Sequence, residues 1–329
     1  MLRQLSAVHA PYRLNRPFRI SRGVKSVADT IFVEIRSGEH VGRGEAAPYA
    51  RYGETIEKVL AQIEAVRTEI EAGADTGQLL SILPAGAARN AVDCALWDLE
   101  ARISGRPVTE SLGLGELKPV ATAMTVVLDT PDKMAAAAQS LADVPLLKIK
   151  VDANDPLAAI RAVRDAAPAP RVIVDPNESW SLAQLDRWQQ DLADLRVDLL
   201  EQPLPADSDD GLEDFEACVP LAADESGHVT DDLAKLARRY DYVNIKLDKT
   251  GGLTTALAMR DAARSEGMGL MIGCMVSSSL SIAPAMIIAQ DCEFVDLDGP
   301  TWLAEDLQGG VSERAGVMRP PAPGFWGGK

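Results

Sequence analysis

The chain is short of the groups that soluble catalysts most often use to move protons or hold soft metals. It has 3 histidines, His9, His40 and His228, and 4 cysteines in 329 residues. So few histidines support no Ser–His–Asp constellation. Cys94, Cys218, Cys274 and Cys292 form no C-x-x-C pair and no zinc spacing. They read as buried, reduced thiols of a cytoplasmic protein. Long hydrophobic runs are missing too. No stretch approaches the ~18 apolar residues of a membrane span, and MLRQLSAVHAPYRL lacks the unbroken apolar core of a secretory leader. Positive charge is scarce: 33 Lys and Arg against 49 Asp and Glu leave a net charge of −16. Such a surface repels nucleic acid and anionic membrane, and any anionic ligand needs a local cationic site. TGGLTTA lacks the G-x-G-x-x-G spacing of a dinucleotide loop.

What is present is an ordinary globular composition, 47% hydrophobic and 25% charged, long enough for two domains at ~150 residues each. Residues 1–117 predict an α+β domain. FRIS and TIFVEIRS, around a GEHVG turn, read as strands of a small antiparallel sheet. GETIEKVLAQIEAVRTEIEAG and AARNAVDCALWDLEARISGRP read as amphipathic helices. From 118 to 299 the pattern becomes a regular alternation. ATAMTVVLD, LLKIKVD, RVIVD, DLLE, PLAAD, YVNIKL, LMIG and EFVDLD count as eight apolar strands, each after helical sequence. Continuous apolar strands separated by helices imply a parallel sheet buried on both faces, closed as an α/β barrel of the (β/α)8 type. Residues 300–329 hold too little helix to finish an eighth unit and are expected to pack back on the first domain.

The chemistry lies at the strand ends. Lys150, Asp175, Glu201, Asp224 and Lys246 each close an apolar run, at steps of 22 to 26 residues that suit one strand, one helix and two loops. Active sites of such barrels lie at this rim. Lys148, two residues before Lys150, points the same way. The strands ending in Lys150 and Lys246 are second and sixth of eight, hence opposite, with three carboxylates on the arc between them. Three carboxylates favour a hard divalent cation, one Mg2+ per subunit. A substrate carboxylate bound there would present its α-carbon to two lysines from opposite faces, one removing the α-proton and the other returning it. Lys148 and the cation would lower the pKa of the base from its usual ~10.4. A Schiff-base barrel using Lys246 and a non-catalytic binding protein on the same scaffold stand as alternatives.

The motifs KIKVD, VDPNESW, LLEQPLP, ADES, NIKLDKTGG and DLDGPTW, with PYARYGE and LPAGAARNAVDCALWDLEA upstream, resemble the muconate-lactonising subgroup of the enolase superfamily. They resemble most its L-Ala-D/L-Glu and other dipeptide epimerases, over nearly the whole chain. The resemblance implies a modified (β/α)7β TIM-type barrel under an α+β capping domain. It implies Mg2+ on Asp175, Glu201 and Asp224, acid and base roles for Lys150 and Lys246, and a dipeptide substrate. A lysine base beside a magnesium-stabilised enediolate is that superfamily's known chemistry. Asp296 and Asp298 match the D-x-D that binds the dipeptide's ammonium group, and two acids at one strand end would repel a succinyl carboxylate. N-succinylamino acid racemase and o-succinylbenzoate synthase remain the alternatives within the superfamily. In the loop ISRGVKS, Arg22 and Lys25 are candidates to meet an acidic second residue. Lys25 stands where Ala-Glu enzymes carry arginine, and lysine pairs a carboxylate with less geometric control. Thr125 and Cys274 are expected to line the cavity, while the run Ser277–Ser279 departs from the pattern. Homo-oligomers are compatible with such barrels by fold analogy alone.

Overall fold

A three-stranded antiparallel sheet opens the chain, in the order β1 (Arg3–Ile20), β2 (Gly23–Ser37), β3 (His40–Ala46). The computed structural model describes residues 3–21 and 23–328. β1 is longer than its sequence predicts: FRIS is only its tail, and the polar run before it pairs with β2 from Arg3↔Ser37 onward. Cross-strand pairing overrides a weak hydrophobic pattern there. The predicted first helix is two, Ile56–Ala65 and Arg67–Ala72, broken at Val66 (φ −106°, ψ 9°). The helix Ala87–Ser104 lies across the sheet. Gly42 and Gly44 of β3 admit it: a Cβ at either would collide with the backbone of Ala95 or Ala91. Ile31, Val33, Ile35, Ile63, Ile70 and Leu99 fill the seam.

The second half is an eight-stranded parallel sheet. After a short β4 (Val120–Ala121), its strands are β5 (Met124–Val126), β6 (Leu146–Lys150), β7 (Arg171–Asp175), β8 (Leu199–Glu201), β9 (Leu221–Ala223), β10 (Tyr242–Ile245), β11 (Gly269–Gly273) and β12 (Phe294–Asp296), adjacent in chain order. Ala123 N donates to Val295 O (2.7 Å) and Leu297 N to Thr122 Oγ1 (2.9 Å), bringing the first and last strands together. Helices cover the outside, though not evenly. Between β8 and β9 there is only the 3₁₀ turn Asp210–Asp214, and between β9 and β10 the short pieces Thr230–Asp232 and Leu233–Leu236. A hairpin, β13 (Ser312–Arg314) and β14 (Val317–Arg319), pairs with β4. Beyond it Trp326 Nε1 donates to Arg43 O and Cys94 O, and Gly327 N to Asp98 Oδ1.

Period-two alternation sorts each barrel strand. Leu147 and Ile149 of β6 join the core shared with the outer helices, while Leu146 meets Ile173, Leu199, Ala222, Met271 and Phe294 in a plug inside the barrel. Two residues further along, the same inward rows carry Lys148, Asp175, Glu201, Asp224 and Asp296. An apolar plug thus floors a charged rim.

The first domain sits on that rim through buried polar ties. Asp248 Oδ1 accepts from Ala47 N and Asn90 Nδ2, both at 2.9 Å. Asp93 takes Thr254 Oγ1 at 2.6 Å, and Arg89 donates to Thr250 O at 2.7 Å. Burial raises Asp248 to about 7 and Asp93 to about 6. The four thiols are unpaired, but only Cys94 is fully buried and Cys218 is exposed, against the expectation that all are buried. Among the described residues no helix is long and apolar enough to cross a membrane.

Candidate active site

Lys150, at the end of β6, and Lys246, one residue past β10, stand across the ring, with β7, β8 and β9 on one side and β11, β12 and β5 on the other. Between them the charges are buried and interlocked. Lys148 Nζ lies 3.0 Å from Asp175 Oδ2, 2.6 Å from Glu201 Oε2 and 2.7 Å from Asp296 Oδ2. Lys150 Nζ is 2.5 Å from Asp175 Oδ2 and Lys246 Nζ 2.6 Å from Asp224 Oδ2. A fourth lysine, Lys249, holds Asp224 Oδ1 at 2.7 Å and Asn244 O at 2.9 Å.

The carboxylates predicted to converge therefore face ammonium groups, with Lys148 reaching both Asp175 and Glu201. Among the described residues no three His, Cys, Asp or Glu side chains gather around one point. Anions drawn together in a dry site need positive charge among them, and here lysines supply it. Burial opposes the charge on Lys148, but Asp296, Glu201 and Asp175 outweigh it and hold its pKa well above the usual lysine range. Burial likewise works against Asp175, which Lys150 and Lys148 nevertheless hold down at about 2. Asp224 is held low by Lys246, Lys249 and Lys148 against the same penalty. Burial and the charge of Asp175 instead push Glu201 up to about 7. Glu201 Oε1 accepts from Asn244 Nδ2 at 2.8 Å, while Oε2 has no donor in hydrogen-bonding geometry. Asp175, Glu201 and Asp224, at 0%, 0% and 2% exposure, offer carboxylate oxygens of the hard type that a divalent cation takes, and the lysines stand among them here.

The lysines open into a cavity of about 510 Å3 beneath the capping sheet, whose lining includes Lys25, Asp29, Tyr49, Asn177, Thr125 and Cys274. A larger cleft of about 810 Å3, lined by Lys58, His228 and Lys249, follows the seam between the domains and holds neither Lys150 nor Lys246. Lys25 is an exposed residue of the cavity wall whose pKa desolvation lowers; its Nζ lies 5.6 Å from the Tyr49 ring centroid. Arg22 lies outside the described residues. Asp296 and Asp298 both line the cavity, differently engaged. Asp298 Oδ2 takes Thr125 N at 2.9 Å and Trp302 Nε1 at 3.1 Å, and burial with Asp296 nearby raises it to about 6. Asp296 Oδ2 pairs with Lys148, but its Oδ1 is buried without a partner. The serine run ties the loop after β11 to its surroundings. Ser278 donates from N and Oγ to Glu45 (2.8 and 2.6 Å), and Ser279 N donates to Asp306 Oδ1 (2.9 Å).

Sequence reasoning passed over Lys249, Asn177 and Asn244. Lys249 follows Lys246 by three on a helical turn, a signal available in KLDKTGG. Asn177 N and Nδ2 donate to Asp175 at 2.8 and 3.2 Å from a left-handed backbone (φ 47°), which only the fold reveals.

Residues 3–113 match the mandelate racemase/muconate lactonizing enzyme N-terminal domain, and residues 133–325 the enolase C-terminal domain-like family. The chain belongs to this mandelate racemase/muconate lactonizing enzyme family of the enolase superfamily. It is 45% identical to the L-Ala-D/L-Glu epimerase of Escherichia coli (strain K12), over 96% of this chain and 99% of that one. It is 43% identical to the N-acetyl-D-glutamate racemase of Pseudoalteromonas sp, over 91% and 95%. A crystal structure from Agrobacterium tumefaciens, of an enolase family member with homology to dipeptide epimerases with bound sodium and L-Ala-L-Glu, superimposes with a TM-score of 0.97. Its identity is 47%, over 99% of this chain and 100% of that one. With such relatives the protein is an isomerase, a racemase or epimerase acting on amino-acid derivatives.

Proposed function

We propose that this isomerase epimerises dipeptides at the α-carbon of the second residue, with L-Ala-D/L-Glu as preferred substrate. The observation that carries the reading is Asp296 Oδ1, a buried carboxylate oxygen without a partner in the cavity wall. A free α-ammonium group would satisfy it, with Asp298 beside it; an N-acyl group has no charge to offer. Lys25, over Tyr49 in the cavity wall, is a cation that an acidic second side chain could meet.

Charge supports a divalent cation. In the ion pairs of the cluster, four carboxylates (Asp175, Glu201, Asp224, Asp296) meet four ammonium groups (Lys148, Lys150, Lys246, Lys249). Freeing one lysine as a base and burying a substrate carboxylate beside these groups leaves unpaired negative charge at the carboxylate end of the substrate, which a divalent ion held there would offset. Bound by Asp175, Glu201 and Asp224, Mg2+ would supply Lewis-acid charge to the substrate carboxylate as the enediolate develops.

The chain's own residues do the proton work. Lys150 and Lys246 approach the α-carbon from opposite flanks; one takes the proton from one face and the other delivers a proton to the other face. Asp224, paired with Lys246 at 2.6 Å, favours the charged form of that lysine and so governs how readily it gives up its proton. Lys148 keeps its proton and fixes Asp175, Glu201 and Asp296 relative to one another. The capping domain covers the site and keeps water off the carbanionic intermediate. Such chemistry suits recycling of cell-wall peptides in the cytoplasm.

Incubation with L-Ala-L-Glu in D2O should place deuterium at the glutamyl α-carbon of both epimers, and chelation by EDTA should stop the exchange. Exchange as fast without metal would remove the cation from the scheme. A second reading, racemisation of N-acylated amino acids, is favoured by the 43% identical relative. Running N-acetyl-L-glutamate in parallel decides between them.

A further inference from the structure

One motif residue has no part in the chemistry above: Gln202, immediately after Glu201. It is fully buried and adopts a left-handed backbone (φ 37°), a conformation that costs an L side chain roughly 1–3 kcal/mol unless its surroundings impose it. The surroundings do. Its backbone N donates to Ala222 O at 2.8 Å, and its backbone O accepts from Glu178 N at 2.9 Å. Its side-chain Oε1 accepts from Asp224 N at 2.8 Å and Ser226 N at 3.0 Å. Its Nε2 donates to Leu204 O (2.9 Å), Ser226 Oγ (2.9 Å) and Tyr240 OH (3.0 Å). Behind it, Asp209 accepts from Ser226 Oγ at 2.6 Å and Tyr240 OH at 2.8 Å, which orients both hydroxyls.

These bonds join the loops that follow β7, β8 and β9, the three strands that end in Asp175, Glu201 and Asp224. The left-handed turn swings the side chain sideways instead of onto the next inward or outward position. One carboxamide thereby spans neighbouring strand ends. An uncharged amide does both jobs, accepting from two backbone N–H groups while donating to a carbonyl.

We propose that Gln202 is a positioning residue. It laces the strand ends so that the carboxylates of Glu201 and Asp224 are presented together to a cation, and it sets the affinity for that cation without touching substrate. This rests on the reading that Asp175, Glu201 and Asp224 hold a divalent ion. Outer groups that orient metal ligands typically change metal affinity about 10–100-fold when replaced.

The test uses Mn2+ as probe, with free ion counted by electron paramagnetic resonance in the absence of dipeptide. Wild type, Gln202→Met, Tyr240→Phe and Asp224→Asn are titrated, with circular dichroism and melting temperature recorded for each. Gln202→Met is expected to weaken Mn2+ about 10–100-fold, with turnover recovering toward wild type at saturating Mn2+. Tyr240→Phe, which removes one acceptor of Nε2 and one donor to Asp209, should weaken it about 3-fold. Unchanged Mn2+ affinity in a folded Gln202→Met overturns the proposal, as does turnover that stays low when metal is saturating. Should Gln202→Met fail to fold, Tyr240→Phe decides, and wild-type affinity there overturns it. Failure of wild type to bind Mn2+, or binding indifferent to Asp224→Asn, would sink the metal reading itself, a distinguishable result.

Discussion

Replacing Asp296 by asparagine separates a dipeptide from an N-acylated substrate. Asp296 is 6% exposed, its Oδ2 pairs with Lys148 at 2.7 Å, and its Oδ1 has no partner. Asparagine keeps the shape and removes the charge. Losing one partner of a buried, hydrogen-bonded charge pair costs about 2–5 kcal/mol. Asp298 still faces the cavity and retains part of the attraction, so the low end applies, about 2–3 kcal/mol. That is a fall of about 30- to 150-fold in kcat/KM for L-Ala-L-Glu. N-acetyl-L-glutamate carries no ammonium group and loses nothing at this point. Lys148 loses a partner for both substrates, so the ratio of the two kcat/KM values cancels that shared effect. α-Proton exchange in D2O, followed by proton NMR, measures both. A ratio that moves by less than about 3-fold would refute the ammonium role of Asp296 and turn the assignment toward N-acylamino acid racemisation.

Lys150→Ala and Lys246→Ala should each lower epimerisation by at least about 10³-fold with unchanged circular dichroism; substantial turnover in either variant breaks the two-base scheme. Glu45, buried under the cap against Ser278, is raised from 4.5 to about 7 by burial. Its stabilising contribution is therefore complete below pH ~4.5 and lost as pH rises through about 7, on the order of 3 kcal/mol in all. Glu45→Gln should gain stability relative to the parent across that window, and parallel urea midpoints from pH 5 to 8 would contradict this. Gly44→Ala drives a methyl into the Ala91 carbonyl and should destabilise by about 3 kcal/mol in urea unfolding; a loss below about 0.5 kcal/mol would mean the helix moves away freely.

Much of the barrel can be read directly, because period two leaves little choice. Leu146, Lys148 and Lys150 must share a face, and so must Asp296 and, past the strand end, Asp298. The spacing of charged residues at successive strand ends then places five of them on one rim. The first domain is harder. β1 carries polar residues on an edge strand whose pairing with β2 is decided across a turn, so its first half looks like loop. The helix broken at Val66 has an unbroken periodic pattern, and only packing against the sheet shows the break. Lys249 and Gln202 were passed over because their partners include residues 22 to 38 positions away in the chain, and because Gln202 also depends on a backbone angle that no motif displays.

The inventory of acids and bases, their order around the ring and the opposition of Lys150 to Lys246 follow from the sequence alone, since strand alternation and chain order dictate which side chains can meet. What only the folded structure decided is who pairs with whom: Lys148 shared among Asp175, Glu201 and Asp296, Asp296 left with one unpartnered oxygen, Gln202 clasping two strand ends. Those choices depend on burial, where each charge must find a partner within about 3 Å or be expelled, and burial is a property of the closed barrel rather than of any one segment.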